Sequence, residues 1–185
     1  MGTERHLHNP GRLNDFLAGV ERKAFRMAAL GTGNEDDALD IIQDAMLAFV
    51  RKYAEHPEPE WAPLFYRVLQ SRITDYHRRS QVRNRLRSFF GLGDEPDRED
   101  PLEQMPDLQA VPADHRIAGE QLAASLEQAL RRLPLRQQQA FLMRAWEGLD
   151  TRQTATAMGC SEGSVKTHYF RALQALRQLL EEFRP

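Results

Sequence analysis

Between Leu149 and Leu180 the chain sets cationic and hydrogen-bonding side chains at helical spacing, a chemistry suited to phosphates and base edges. Lys166, Thr167, Arg171, Gln174 and Arg177 fall on one side of a helix whose other side carries Val165, Tyr169, Ala172, Leu173, Leu176 and Leu180. A shorter helix precedes it. Asp150 and Gln153 form a capping box at its start, and Ser161 is placed to cap the longer helix, with Glu162 in its first turn. Ala155 and Gly159 are small enough to let the two helices meet at a tight turn. The pattern is a helix-turn-helix, a motif whose second helix enters a major groove. A helical hairpin with a solvated charged face uses the same residues, so the rest of the chain has to decide.

A second basic constellation lies upstream. Arg72, Arg78, Arg79, Arg83, Arg85 and Arg87 gather around Tyr76 and His77. Guanidinium groups hold phosphates and aromatic faces support unstacked bases, so this mixture suits opened DNA better than a closed duplex. The bland alternative is a solubilising surface, or an intramolecular partner for acidic residues elsewhere. Asp36, Asp37, Asp40 and Asp44 raise a similar choice: the spacing puts Asp37, Asp40 and Asp44 together on an exposed helix side. They serve either an outside basic partner or the positive end of their own helix.

These side chains need helices to hold them. Leu13, Phe16, Leu17, Val20, Ala24, Met27 and Ala28 mark a first helix that ends at Gly31–Asn34. Asn34 caps a second, whose inner stripe is Ala38, Ile42, Ala45, Met46, Phe49 and Tyr53. A third turns Trp61, Leu64, Phe65, Val68, Leu69, Ile73 and Tyr76 inward. Residues 94–114, with four prolines and little periodicity, read as a linker. Helical patterning resumes near His115 with Ile117, Leu122, Leu126, Ala129, Leu130 and Leu133, breaks at Pro134, and runs to about Trp146. Trp61 and Trp146 are expected in the core. The expected architecture is all-α: an N-terminal domain over 10–90, a linker over 91–114 and a helix-turn-helix domain over 115–185.

The 185 residues carry a net charge of only −2, which conceals segregation. Net charge is −4 over 1–60, +6 over 61–93, −7 over 94–114, −1 over 115–130 and +4 over 131–185. Phosphate attraction acts within about 10 Å at ordinary salt, so separate basic blocks can bind DNA despite a near-neutral total. The single cysteine, Cys160, allows no internal disulfide, and the six histidines offer no i, i+4 pair for zinc. With no nucleophile elbow or glycine-rich phosphate loop, no cofactor, metal, small-molecule substrate or catalytic activity is expected. No apolar run approaches the ~18 residues of a membrane span, and residues 1–12 read as neither signal nor anchor. A cytoplasmic protein without membrane insertion is expected.

Together these residues resemble the extracytoplasmic-function (ECF) sigma factors of bacterial RNA polymerase. Asp37-Ala38-x-Asp40-x-x-Gln43-Asp44-x-Met46 is similar to the family's core-binding helix. Leu133-Pro134-x-Arg136-Gln137, Phe141-Leu142-x-Arg144, Glu147-Gly148-Leu149, Gly159 with Gly163-Ser164-Val165-Lys166-Thr167, and Arg171-Ala172 are similar to its C-terminal domain. The resemblance implies that Asp37, Asp40, Gln43 and Asp44 bind polymerase core. It implies that Arg72, Tyr76, Arg78 and Arg79, with Arg83 and Arg85 in the loop after them, engage and melt the minus-ten element. It assigns Arg152, Ser161, Ser164, Lys166, Thr167, His168 and Arg171 to the minus-thirty-five element. Met46, Leu64, Ser71, Gln153-Thr154 and His168 depart from the family's usual residues. The implied partners are RNA polymerase core and promoter DNA, and the sequence leaves open whether an anti-sigma factor wraps both domains. The competing reading is a conventional helix-turn-helix regulator that never joins the polymerase.

Overall fold

The computed structural model describes residues 10–89 and 115–182, and the side chains within them except at 83–89, 115–122 and 182. The expected linker and the side chains of Arg83 and Arg85 therefore lie outside the described residues, although both arginines fall within the third helix and not in a loop after it. Helices α1 (Pro10–Thr32), α2 (Glu35–Tyr53) and α3 (Glu58–Phe89) are followed by α4 (His115–Arg132) and α5 (Leu135–Phe141). A π-helical segment, Leu142–Trp146, leads to α6 (Thr151–Met158) and α7 (Glu162–Glu182). All regular structure among the described residues is helical, as the periodicity requires.

The first three helices pack around one aromatic centre. Phe16 lies 5.7 Å from Phe49, 5.6 Å from Trp61 and 6.1 Å from Phe65, ring centre to ring centre, within the range where tilted and edge-on pairs attract. Helix α1 passes the expected stop at Gly31 and ends after Thr32, where Gly33 takes φ 72° and Asn34 accepts from the Asp37 backbone N–H at 3.0 Å. Gly31 is needed for another reason. A Cβ there would stand 2.7 Å from Ile73 Cγ2, so its bare backbone lets α1 close on α3.

Helix α3 is buried on two adjoining stripes. Phe65, Leu69 and Ile73 face α1 and α2, as the periodicity anticipates. One position on, Tyr66 and Thr74 face the C-terminal helices: the Tyr66 hydroxyl donates to Glu147 at 2.6 Å, and Gln139 Nε2 donates to Thr74 Oγ1 at 3.5 Å. Helix α6 packs along α3 and α4 touches α1, so the N- and C-terminal helices are docked together. Two apolar assignments need correction. Trp146 is 38% exposed at the end of the π segment, on an open cleft between α1 and α4, and Leu173 is 37% exposed beside Phe170 on α7.

Two glycines of α1 give a paired test. Gly31→Ala should lower unfolding free energy by about 1–3 kcal/mol through overpacking against Ile73. Gly19→Ala, with open space around it, should raise it by about 0.5–1 kcal/mol. Denaturant melts of the two variants check this, and equal effects would contradict the close approach.

Candidate nucleic-acid interface

Each joint of the helix-turn-helix is fixed by a local bond the sequence specifies. Asp150 accepts from the Gln153 backbone N–H at 2.7 Å, while Gln153 Oε1 accepts from the Asp150 backbone N–H at 3.0 Å, completing the capping box. Gly159 takes the left-handed conformation at φ 61°, its N–H reaching the Thr156 carbonyl at 3.3 Å and the Cys160 N–H reaching Ala155 at 3.1 Å. That is a Schellman ending, which reverses the chain within two residues. Ser161 Oγ then accepts from the Ser164 backbone N–H at 3.1 Å and starts α7.

Two arginines of the preceding segment support the joint, and sequence reading gave neither a structural role. Arg136 donates to the Met158 carbonyl at 2.9 Å, satisfying a C-terminal acceptor of α6. Arg144 donates to the Leu149 carbonyl and lies 5.8 Å from the Tyr169 ring centre, tying the π segment to the turn before α6 and to α7. The signal was present in Leu133-Pro134-x-Arg136 and Phe141-Leu142-x-Arg144, but spacing alone does not say which carbonyl a guanidinium finds.

The outer face of α7 carries the expected groups. Ser161, Lys166, Thr167 and Arg171 are exposed, as is Arg152 on α6, whereas Ser164 and His168 are half-buried. Val165, Ala172 and Leu176 are buried beneath them. Partial burial, then the positive charges of Arg136 and Arg171, push the His168 imidazole below its ordinary pKa. At neutral pH it is a neutral hydrogen-bonding group, while Lys166 and Arg171 supply the charge. Burial also raises the Cys160 thiol, with Arg136 opposing, so Cys160 stays a protonated thiol in the turn.

On α3, Arg78 and Arg79 are exposed and Arg72, Tyr76 and His77 are half-buried. Asp75 pairs with Arg78 at 3.0 Å. The Tyr76 hydroxyl donates to Asp37 Oδ2 at 2.9 Å. Asp37 is therefore drawn to α3, away from the exposed side where its spacing with Asp40 and Asp44 had placed it. Asp36, Asp40, Gln43 and Asp44 remain exposed on α2. Among them stand Leu39, Leu47 and Val50, exposed at 49%, 57% and 39%. Sequence reading missed these three as surface residues, although their absence from the inner stripe was the available signal. The outer side of α2 thus carries apolar side chains among carboxylates.

The fold and this geometry define an all-α DNA-binding protein with a helix-turn-helix, a second basic helix end and a separate acidic and apolar face. Residues 123–176 match the family described as sigma-70, region 4. The chain is 32% identical over 146 residues to the RNA polymerase sigma-E factor of Streptomyces antibioticus, covering 78% of this chain and 71% of that one. It is 28% identical over 160 residues to the ECF RNA polymerase sigma factor SigM of Mycobacterium tuberculosis, covering 86% and 72%. The fold matches that of the sigma factor RpoE of Bartonella quintana, solved in complex with the anti-sigma factor NepR, with TM-score 0.57, 20% identity, and 92% and 99% of the two chains covered. The chain belongs to the ECF RNA polymerase sigma factors. Among the described residues no helix is long and apolar enough to cross a membrane.

The capping box yields a direct check. Asp150→Ala should cost about 1 kcal/mol of stability and Asp150→Asn much less, since Asn retains the accepting oxygen. Equal losses in thermal or denaturant unfolding would show that the cap is not the stabilising contact.

Proposed function

We propose that the chain is a dissociable promoter-specificity subunit that works in the cytoplasm, bound to RNA polymerase core. Family membership extends over more of the chain than a DNA-reading module needs. A match of 146 residues cannot be housed in the 71 residues from 115 to 185, so the N-terminal helices share the relationship. That observation favours the sigma reading over a conventional regulator, for which only the helix-turn-helix is required.

In this reading residues 10–90 bind core and the minus-ten element, 91–114 tether, and 115–185 bind the minus-thirty-five element. Asp40, Gln43 and Asp44 meet a basic surface on the polymerase, with Leu39, Leu47 and Val50 adding apolar area, and Asp37 sets the edge of the face through Tyr76. Arg72, Tyr76, Arg78 and Arg79, with Arg83 and Arg85 beyond, hold the strand exposed on melting. Arg152, Ser161, Ser164, Lys166, Thr167, His168 and Arg171 form the duplex-reading surface. Bond making stays with the polymerase, and this chain contributes binding energy, placement and no catalytic group. An anti-sigma factor, the kind of partner bound in the Bartonella structure, completes the set of partners.

Core binding separates the readings. Asp40→Arg combined with Asp44→Arg should weaken binding to purified core by about a hundredfold while leaving helical content unchanged, because like charges would then face each other. Undiminished affinity would remove α2 from the interface. In the assembled holoenzyme at pH 7.5, Lys166→Ala should lower the slope of log affinity against log salt by about 0.9, one phosphate's worth. His168→Ala should leave that slope unchanged, since the imidazole is neutral there. A regulator would bind the same duplex equally well with and without core.

A further inference from the structure

Two helices far apart in sequence each leave an apolar seam uncovered. On α2, Leu39, Leu47 and Val50 are exposed, with Asp36, Asp40 and Asp44 beside them. On α7, Phe170 is 59% exposed and Leu173 37%, between the exposed cations Lys166 and Arg177. Helical spacing aligns each set on one side of its helix. Leu39, Gln43, Leu47 and Val50 follow at intervals of four, four and three, and Lys166, Phe170, Leu173 and Arg177 at four, three and four. One seam is apolar among acids and the other apolar among bases.

The seams also match in length and in the order of their end charges. Asp36 and Arg51 stand fifteen residues apart on α2, and Glu162 and Arg177 stand fifteen residues apart on α7. That separation is about 22 Å at 1.5 Å per residue. All four are exposed, and among the described residues none has an ion-pair partner. Laid antiparallel, the two seams pair Asp36 with Arg177 and Arg51 with Glu162 at once. Between those ends Leu39 falls by Leu173, Phe170 reaches the gap between Gln43 and Leu47, and Asp44 lies within a turn of Lys166. Laid parallel, the same register sets Asp36 against Glu162 and Arg51 against Arg177, so like charges meet at both ends.

We propose that α7 of one copy docks antiparallel on α2 of a second copy of this chain. The two faces differ, so the contact is heterologous: each pair keeps one α2 face and one α7 face open, and further copies add as concentration rises. A single pair of helical seams buries area at the low end of specific interfaces, so the association is weak, on the order of 0.1 mM. The contact is a property of the free chain and does not rest on the sigma reading.

Sedimentation velocity of the full chain tests this, over concentrations from about 0.01 to 0.5 mM that bracket the expected affinity. The weight-average sedimentation coefficient should rise across the range. Leu47→Arg and Phe170→Glu each put a charge into an apolar seam at an exposed position, so helical content should hold while self-association weakens by about tenfold or more. Mixed in equal amounts, the two variants should associate again, because one keeps an intact α7 face and the other an intact α2 face. Arg51→Glu should weaken association by about threefold, and adding Glu162→Arg to the same chain should restore it. A monomer at every concentration, or association that neither seam variant changes, overturns the proposal. A mixture that stays monomeric overturns the docking of α7 on α2, and failure of the charge exchange overturns the antiparallel register.

Discussion

Burial of one helix on two sides is the constraint on which the rest depends. The Phe65, Leu69 and Ile73 stripe of α3 closes the three-helix N-terminal group, and the neighbouring stripe of Tyr66 and Thr74 receives the C-terminal helices. Each fully buried side chain of this size contributes roughly 1.5–3 kcal/mol, so the stretch from Trp61 to Ile73 anchors everything around it. Past Ile73 the same helix turns polar and then arginine-rich. One continuous element therefore has its first half fixed in the core, while Arg78 and Arg79 further along it are exposed.

Charge is segregated by element. The acidic and apolar outer face of α2 and the cationic end of α3 adjoin without cancelling, and the Tyr76–Asp37 hydrogen bond marks their boundary. The helix-turn-helix separates roles within itself in the same way. Capping and turn residues such as Asp150, Gly159 and Ser161 direct hydrogen bonds to the backbone, while Arg152, Lys166 and Arg171 are exposed charges. Near-neutral net charge is thus compatible with DNA binding because each basic surface acts only over a short range.

Much of this was legible in the sequence. The capping box, the left-handed glycine, the serine cap and the inner stripes of α1 and α2 depend on neighbours a few residues away, and period and residue type record such relationships. The second stripe of α3 was hidden because Tyr66, Gln70 and Thr74 are polar or amphipathic, and their burial follows from partners over 60 residues later in the case of Tyr66 and Thr74. Trp146 and Leu173 failed in the opposite sense, since apolar character predicts burial only where a neighbour arrives to cover it. Asp37 lay on the expected side by spacing alone, and a single hydroxyl on α3 drew it away.

In the proposed function, promoter-directed initiation is the property that joins the α2 face, the α3 arginines and the helix-turn-helix. Run-off transcription from a library of genomic promoters, using purified core with and without this chain, measures it directly, with permanganate reactivity reporting strand opening. The account predicts discrete transcripts and opening just upstream of their starts only when both components are present. Identical transcripts from core alone, or duplex binding by the chain with no transcription and no opening, would contradict it.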